Sequence, residues 1–217
     1  MRKRLWLATV LACACGGGAR DAATPADSVS DTDSVSDEMA EVAAADTVLP
    51  PMPGVPDRRA GHVVAVGVGG VEFSEAWPAR GGRCARPPMV LIIAEEPGRS
   101  GVSVLLELPA TGDLMVEYPV SFADSAGMPN PPAAMLGFQF FDEQRGDAYQ
   151  AADGVVTLRE LTDRLVSGQF EVTVRHIATN RRARAAGVFH QLEVEALVPA
   201  YCERLQAAQD SLATPGN

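Results

Sequence analysis

From His62 onward the chain is a series of short β-branched or aliphatic runs cut apart by Gly, Pro, Asp and Asn, and few folds accommodate that rhythm. The runs are His62 to Val68, Val71 to Ser74, Met89 to Ala94, Val102 to Leu108, Leu114 to Val120, Ala134 to Phe141, Val155 to Leu161, Leu165 to Ile177 and Val188 to Val198. Segments of this length, rich in strand formers and bounded by turn residues, predict antiparallel strands. Met89 to Ala94 is apolar throughout, as a strand covered on both faces is, whereas Val102 to Leu108 and Val188 to Val198 alternate in the manner of half-buried strands. Gly69-Gly70 tolerates the positive φ angles of a tight turn between the first two runs. The last periodic run, Tyr201 to Leu212, places Tyr201, Leu205, Ala208 and Leu212 on one helical face. The predicted fold is an all-β antiparallel sandwich or barrel with a short C-terminal helix.

Before this region the composition changes. Residues 16 to 56 carry a net charge of −7 out of the formal −10 of the whole chain, and they are mostly Gly, Ala, Ser, Thr, Asp and Pro. Such a segment has too little apolar surface to offset its ordering entropy, which predicts a disordered acidic tether. Asp27-Ser28-Val29-Ser30-Asp31 recurs once, as Asp33-Ser34-Val35-Ser36-Asp37, too few copies for a repeat architecture. Pro50-Pro51-Met52-Pro53-Gly54-Val55-Pro56 closes it as a stiffened spacer. Boundaries follow at residues 1–12, 13–57 and 58–217.

At the N-terminus, Arg2-Lys3-Arg4 precedes the apolar stretch Leu5 to Ala12, which is far shorter than the roughly 20 residues of a spanning helix. Val10-Leu11-Ala12-Cys13 ends it, with an aliphatic residue three before the cysteine and a small one directly before it. This arrangement resembles the lipobox of bacterial lipoproteins. The resemblance implies a signal peptide over residues 1–12, lipidation at Cys13, export and a membrane anchor, and Cys15 fits the pattern less well. Ala14 in place of an aspartate implies the outer membrane in an organism that has one.

Cys13 and Cys15 lie in the targeting segment, so Cys84 and Cys202 are the only pair in the body of the protein. In an oxidising compartment a disulfide is their natural fate. No Cys-x-x-Cys occurs to suggest redox chemistry.

Candidate binding residues concentrate in the last long hairpin. Its first strand puts Val166, Gly168, Phe170, Val172, Val174 and His176 on one face, its second puts Val188, His190, Leu192, Val194 and Ala196 on one face, and a register centred on Ala183 pairs Val174 with Leu192 and Val172 with Val194 and brings His176 opposite His190. Two facing imidazoles are half of a zinc site, and the segment Asp142 to Asp153 offers Asp142, Glu143, Asp147 and Asp153 as oxygen donors at the same end. At the tip, Arg181, Arg182 and Arg184 form a basic cluster suited to an anionic group or simply to solvent.

The folded part is mildly acidic, which argues against nucleic acid, whose binding draws on a broad basic surface. Gly-x-Ser-x-Gly, Walker-type and His-Glu-x-x-His motifs are absent from the sequence, and Gly67-Val68-Gly69-Gly70 lacks the third glycine of a dinucleotide fingerprint. Expected, then, is a non-enzymatic envelope domain without cofactor, anchored to a membrane, that binds an envelope protein, glycan or small ligand or serves structurally. A lipocalin-like carrier of an apolar molecule is the first alternative and a metal-assisted enzyme the second.

Overall fold

The computed structural model describes residues 49–96, 100–109, 116–120, 134–141 and 146–213, with side chains in the final helix as far as residue 207. The chain divides between Thr47 and Val48, and every described residue belongs to the compact unit Val48–Asn217. Its elements are β1 (His62–Val68), β2 (Phe73–Ala85), β3 (Pro88–Glu95), β4 (Ser100–Glu107), β5 (Glu117–Pro119), β6 (Ala134–Phe141), β7 (Gly146–Leu161), β8 (Leu165–His176), β9 (Arg182–Ala196) and α1 (Pro199–Ala213).

Strands β1 to β4 pair in succession, β4 pairs with β6, and β6 to β9 continue in succession. Because β9 returns to β1, eight strands close into an up-and-down antiparallel barrel. Closure removes the unpaired edges that an open sheet would leave. The short β5 pairs with the half of β7 that β6 leaves free. At the end where β1 begins, β9 instead pairs parallel with β2, from Gly81 opposite Val194 to Arg83 opposite Ala196. The end carrying the β1–β2, β6–β7 and β8–β9 connections is called the upper end, and the opposite end the lower.

The alternation of each strand decides what fills the ring. Val90, Ile92 and Ala94 of β3, Val102, Val104 and Leu106 of β4, and Leu136 and Phe138 of β6 all belong to one continuous buried core. Val166, Phe170, Val172 and Val174 of β8 join them, the face that the sequence predicts for that strand. Trp77, Leu106, Phe138, Phe170, Phe189 and Leu192 keep 1% or less of their surface accessible, so no water-sized void touches them. The barrel is packed rather than hollow at these layers, as in small eight-stranded barrels generally.

Three aromatic rings inside the barrel lie directly across from glycines: Phe73 opposite Gly67, Phe170 opposite Gly187, and Phe189 opposite Gly168. A β-carbon at any of those glycines would collide with the facing ring. Each glycine vacates the volume that its cross-strand phenylalanine fills, and each ring covers a backbone that has no side chain of its own.

The lower end is tied by the Cys84–Cys202 disulfide, whose Cα atoms are 5.8 Å apart across a sequence separation of 118 residues. Cys84, Met89, Cys202 and Leu205 form a second small core with Leu91, Leu105, Leu197 and Tyr201 packed against it. Helix α1 therefore packs on the outer side of β2, β3 and β4. Leu197 lies over Gly82, which lets the chain approach β2 closely on its way into the helix.

Several sequence expectations need correction. Strand β2 runs through Pro78 and Gly81-Gly82 to Ala85, well beyond the predicted Ser74, because the exposed Pro78 stands at the last β1 pairing. Strand β7 starts at Gly146, and β9 starts at Arg182 rather than Val188. The predicted strand from Leu114 is seen as β5 alone, since residues 110–115 lie outside the described residues. Gly69 and Gly70 have φ of 86° and 122°, within a connection of several residues. The hairpin register is also different: Val174 pairs with Ala183 and Val172 with Ala185. The earlier start of β9 shifts the whole ladder.

Candidate functional site

Inside the upper end, β7 and β8 bring Tyr149 opposite His176. The His176 ring meets the Tyr149 ring edge-on at 4.9 Å between centroids. His176 Nδ1 accepts hydrogen bonds from the backbone N–H groups of Ala178 and Thr179, at 3.1 and 3.0 Å. Both donors require a lone pair on that nitrogen, so Nε2 carries the proton and donates to Asp147 Oδ1 at 3.1 Å. The imidazole thus ties the β8–β9 turn to β7. Tyr149 titrates above its ordinary value of 10.0, chiefly because burial disfavours the phenolate, with the Asp147 carboxylate adding to the effect and Arg181 partly offsetting it. Beside them, Phe73, Phe138 and Phe140 continue the aromatic cluster, and Trp77 donates from Nε1 to Ser100 Oγ at 2.9 Å.

The arginines lie around this mouth. Arg181 sits in the β8–β9 turn, with its guanidinium near Gly70 of the β1–β2 connection. Arg182 opens β9 directly opposite Arg175, and Arg184 follows opposite Thr173. Ala183 and Ala185 point inward, so Arg182 and Arg184 point outward. Among the described residues Arg184 Nε is buried without a hydrogen-bond partner. On the adjoining outer wall, Phe141 is 51% exposed and Ile177 66% exposed. They flank β7, because Phe141 pairs with Gly146 and the Ile177 amide donates to Ala148 O.

The shared site expected of His176 and His190 is not formed. His190 stands opposite His62 of β1, toward the lower end, while His176 is on the upper rim. Besides the register, a bulge separates them: one residue of β8, Ser167, faces both His190 and Gln191 of β9. Gln191 takes φ of 49°, and its amide donates to Ser167 Oγ at 2.9 Å. The predicted single face of Val188, His190, Leu192 and Val194 is split, with Phe189, Leu192 and Val194 in the core and His190 outside. Of the four carboxylates offered with the histidines, Asp147 meets His176, Asp153 lies opposite Thr173, and Asp142 and Glu143 are outside the described residues. Among the described residues no three His, Cys, Asp or Glu side chains gather as a metal site.

His190 instead lines a groove of about 340 Å³ on the outer wall, with Arg58, Arg159, Glu160, Ser167 and Val188. Ser167 donates to Glu160 Oε2 at 3.2 Å while accepting from Gln191. Its hydroxyl is engaged with a carboxylate and an amide, which gives it no imidazole to accept its proton. Sequence reasoning missed this groove, since a bulge and the approach of residues 58–60 create it.

Cys13 lies outside the described residues, whereas Cys84 and Cys202 are joined as the sequence predicts. The chain matches no protein-family model, no curated protein and no solved structure.

Proposed function

We propose that the chain is an exported, lipid-anchored envelope protein, held through Cys13, whose barrel works through its outer surface rather than as a container. The observation that carries the second half is the packed interior, in which large side chains from all sides are inaccessible to water. A carrier of apolar ligands needs an open cavity of several hundred Å³. The disulfide supports the first half, because such bonds persist in oxidising compartments outside the cytosol. The outer membrane of a two-membrane cell suits Ala14 after the lipidated cysteine. On this reading the partner is an envelope component met by the barrel wall or rim, and no cofactor is needed.

Incorporation of labelled fatty acid tests the anchor: loss in Cys13→Ser with retention in Cys15→Ser supports it, and label in neither the parent nor Cys15→Ser ends it. The container reading is tested by titrating an apolar fluorophore into the purified protein. Saturable one-to-one binding reversed by fatty acid would replace the surface reading.

A further inference from the structure

The groove beside the β8–β9 bulge is held open by the main chain around it. Ala60 bridges to His190, and the Gly61 amide donates to His190 O at 2.9 Å, so the segment carrying Arg58 is fixed to β9. Ser167, only 5% exposed, lines the groove and holds one oxygen of Glu160, its hydroxyl donating to Oε2 at 3.2 Å. Arg159 donates from Nη2 to Gln169 Oε1, an uncharged partner that orients the guanidinium without neutralising it. Val188 adds a small apolar surface. Among the described residues the Arg58 guanidinium, the His190 imidazole and Glu160 Oε1 have no hydrogen-bond or ion-pair partner.

We propose that this groove binds an acidic saccharide, a sugar ring carrying a single carboxylate. Two guanidinium charges against one carboxylate leave the lining with a formal charge of +1 while His190 is neutral. Asp57, Glu171 and Glu193 stand outside the lining with Arg59 and Arg164, and none of these carboxylates pairs with Arg58 or Arg159 among the described residues. Solvent and salt screen such groups more than those in direct contact, so the lining sets the charge of the ligand. Guanidinium forks match a carboxylate or a phosphate, and Glu160 in the same lining disfavours the more highly charged phosphate. The free oxygen of Glu160 accepts and cannot donate, so the ligand must bring a donor, while His190 can accept or donate. Hydroxyls meet both demands. An ammonium would satisfy Glu160 too, but a zwitterion leaves the positive lining uncompensated. The volume of about 340 Å³ lies at the small end of ligand sites, as a mono- or disaccharide requires. The carboxylate then meets Arg58 and Arg159, ring hydroxyls meet Glu160 and His190, and a C–H face rests on Val188.

This site rests on the reading of the barrel as working through its outer surface, and it is independent of the anchor. The chain from residue 13 onward, carrying Cys13→Ser and Cys15→Ser, contains the whole compact unit. Its three histidine rings, His62, His176 and His190, can be followed by NMR as glucuronate is added. Saturable shifts are expected at His190, with a dissociation constant on the order of 1 mM, and none at His176 on the upper rim. Glucose, acetate and glycine, each lacking part of the required chemistry, should bind at least tenfold more weakly. Arg58→Gln and Arg159→Gln, both at exposed positions, should each weaken glucuronate binding at least fivefold with unchanged thermal midpoints. Glu160→Gln should narrow the preference for glucuronate over acetate. A short oligouronate that binds more tightly than glucuronate marks a glycan chain as the source, and equal or weaker binding marks the free sugar acid; either supports the site. Shifts that do not saturate, equal response to glucose or glycine, or indifference to both arginine variants would overturn it. Failure of glucuronate while the apolar fluorophore is still excluded removes this ligand alone, whereas uptake of the fluorophore removes the surface reading.

Discussion

Tyr149 shows how a single side chain at the rim acquires a consequence from its neighbours. Burial and the Asp147 carboxylate raise its titration above 10.0, so the folded state holds the phenolic proton more tightly than the unfolded chain does. The stabilisation is present in full below pH of about 10 and is lost as pH climbs through the raised value. Alkaline denaturation should therefore be steeper in the parent than in Tyr149→Phe over that window, which circular dichroism at graded pH measures. Gly187 makes a second residue-scale case, since a methyl there must enter the space of the Phe170 ring. Gly187→Ala is expected to cost about 1–3 kcal/mol, as overpacking of cores does. A paired Phe170→Leu should recover part of that loss in urea unfolding.

Among the elements, the C-terminal hairpin is where local reading and tertiary structure part. The inward face of β8 was legible, because Val166, Phe170, Val172 and Val174 alternate cleanly with polar residues. The start of β9 was not, because Arg181-Arg182-Ala183-Arg184-Ala185-Ala186-Gly187 carries no strand former. Ala183, Ala185 and Gly187 are small since Phe170 and its neighbours occupy the centre opposite them, and that reason lies on other strands. The bulge at His190-Gln191 then restores inward apolar positions at Leu192 and Val194. Ser167→Ala removes the acceptor of the Gln191 amide and should destabilise the protein by about 1–2 kcal/mol, with faster amide exchange at Gln191 as its local signature. Helix α1 is held by the disulfide as well as by packing. In the chain-entropy model a bridge spanning 118 residues is worth roughly 4–5 kcal/mol, so Cys84→Ser with Cys202→Ser should lower the chemical-denaturation midpoint by the largest margin of any change considered.

At the scale of the molecule, closure is the decisive property, for it joins eight described strands into a ring around a packed interior. The proposed surface reading places function on the outer wall and rims, where Arg181, Arg182, Phe141 and Ile177 gather at one end and the Arg58–His190 groove lies along the side. Fluorescent fatty-acid analogues should accordingly show no saturable one-to-one uptake by the parent protein.

Strand periodicity, turn glycines and the isolated cysteine pair were enough to establish an antiparallel all-β domain with a terminal helix and a Cys84–Cys202 bridge, because those signals are local or exclusive. The resemblance of Val10-Leu11-Ala12-Cys13 to a lipobox is equally local, and the anchor proposed from it lies outside the described residues. The choice of barrel over sandwich depended on β9 meeting β1, a contact between segments more than a hundred residues apart. Separation of His176 from His190 depended on a register that loop length and one bulge control. Grouping of the arginines with Phe141 and Ile177 depended on three strands from different stretches ending at one rim. Pairings of that kind are set by the summed packing of the whole core, and no window of sequence contains it.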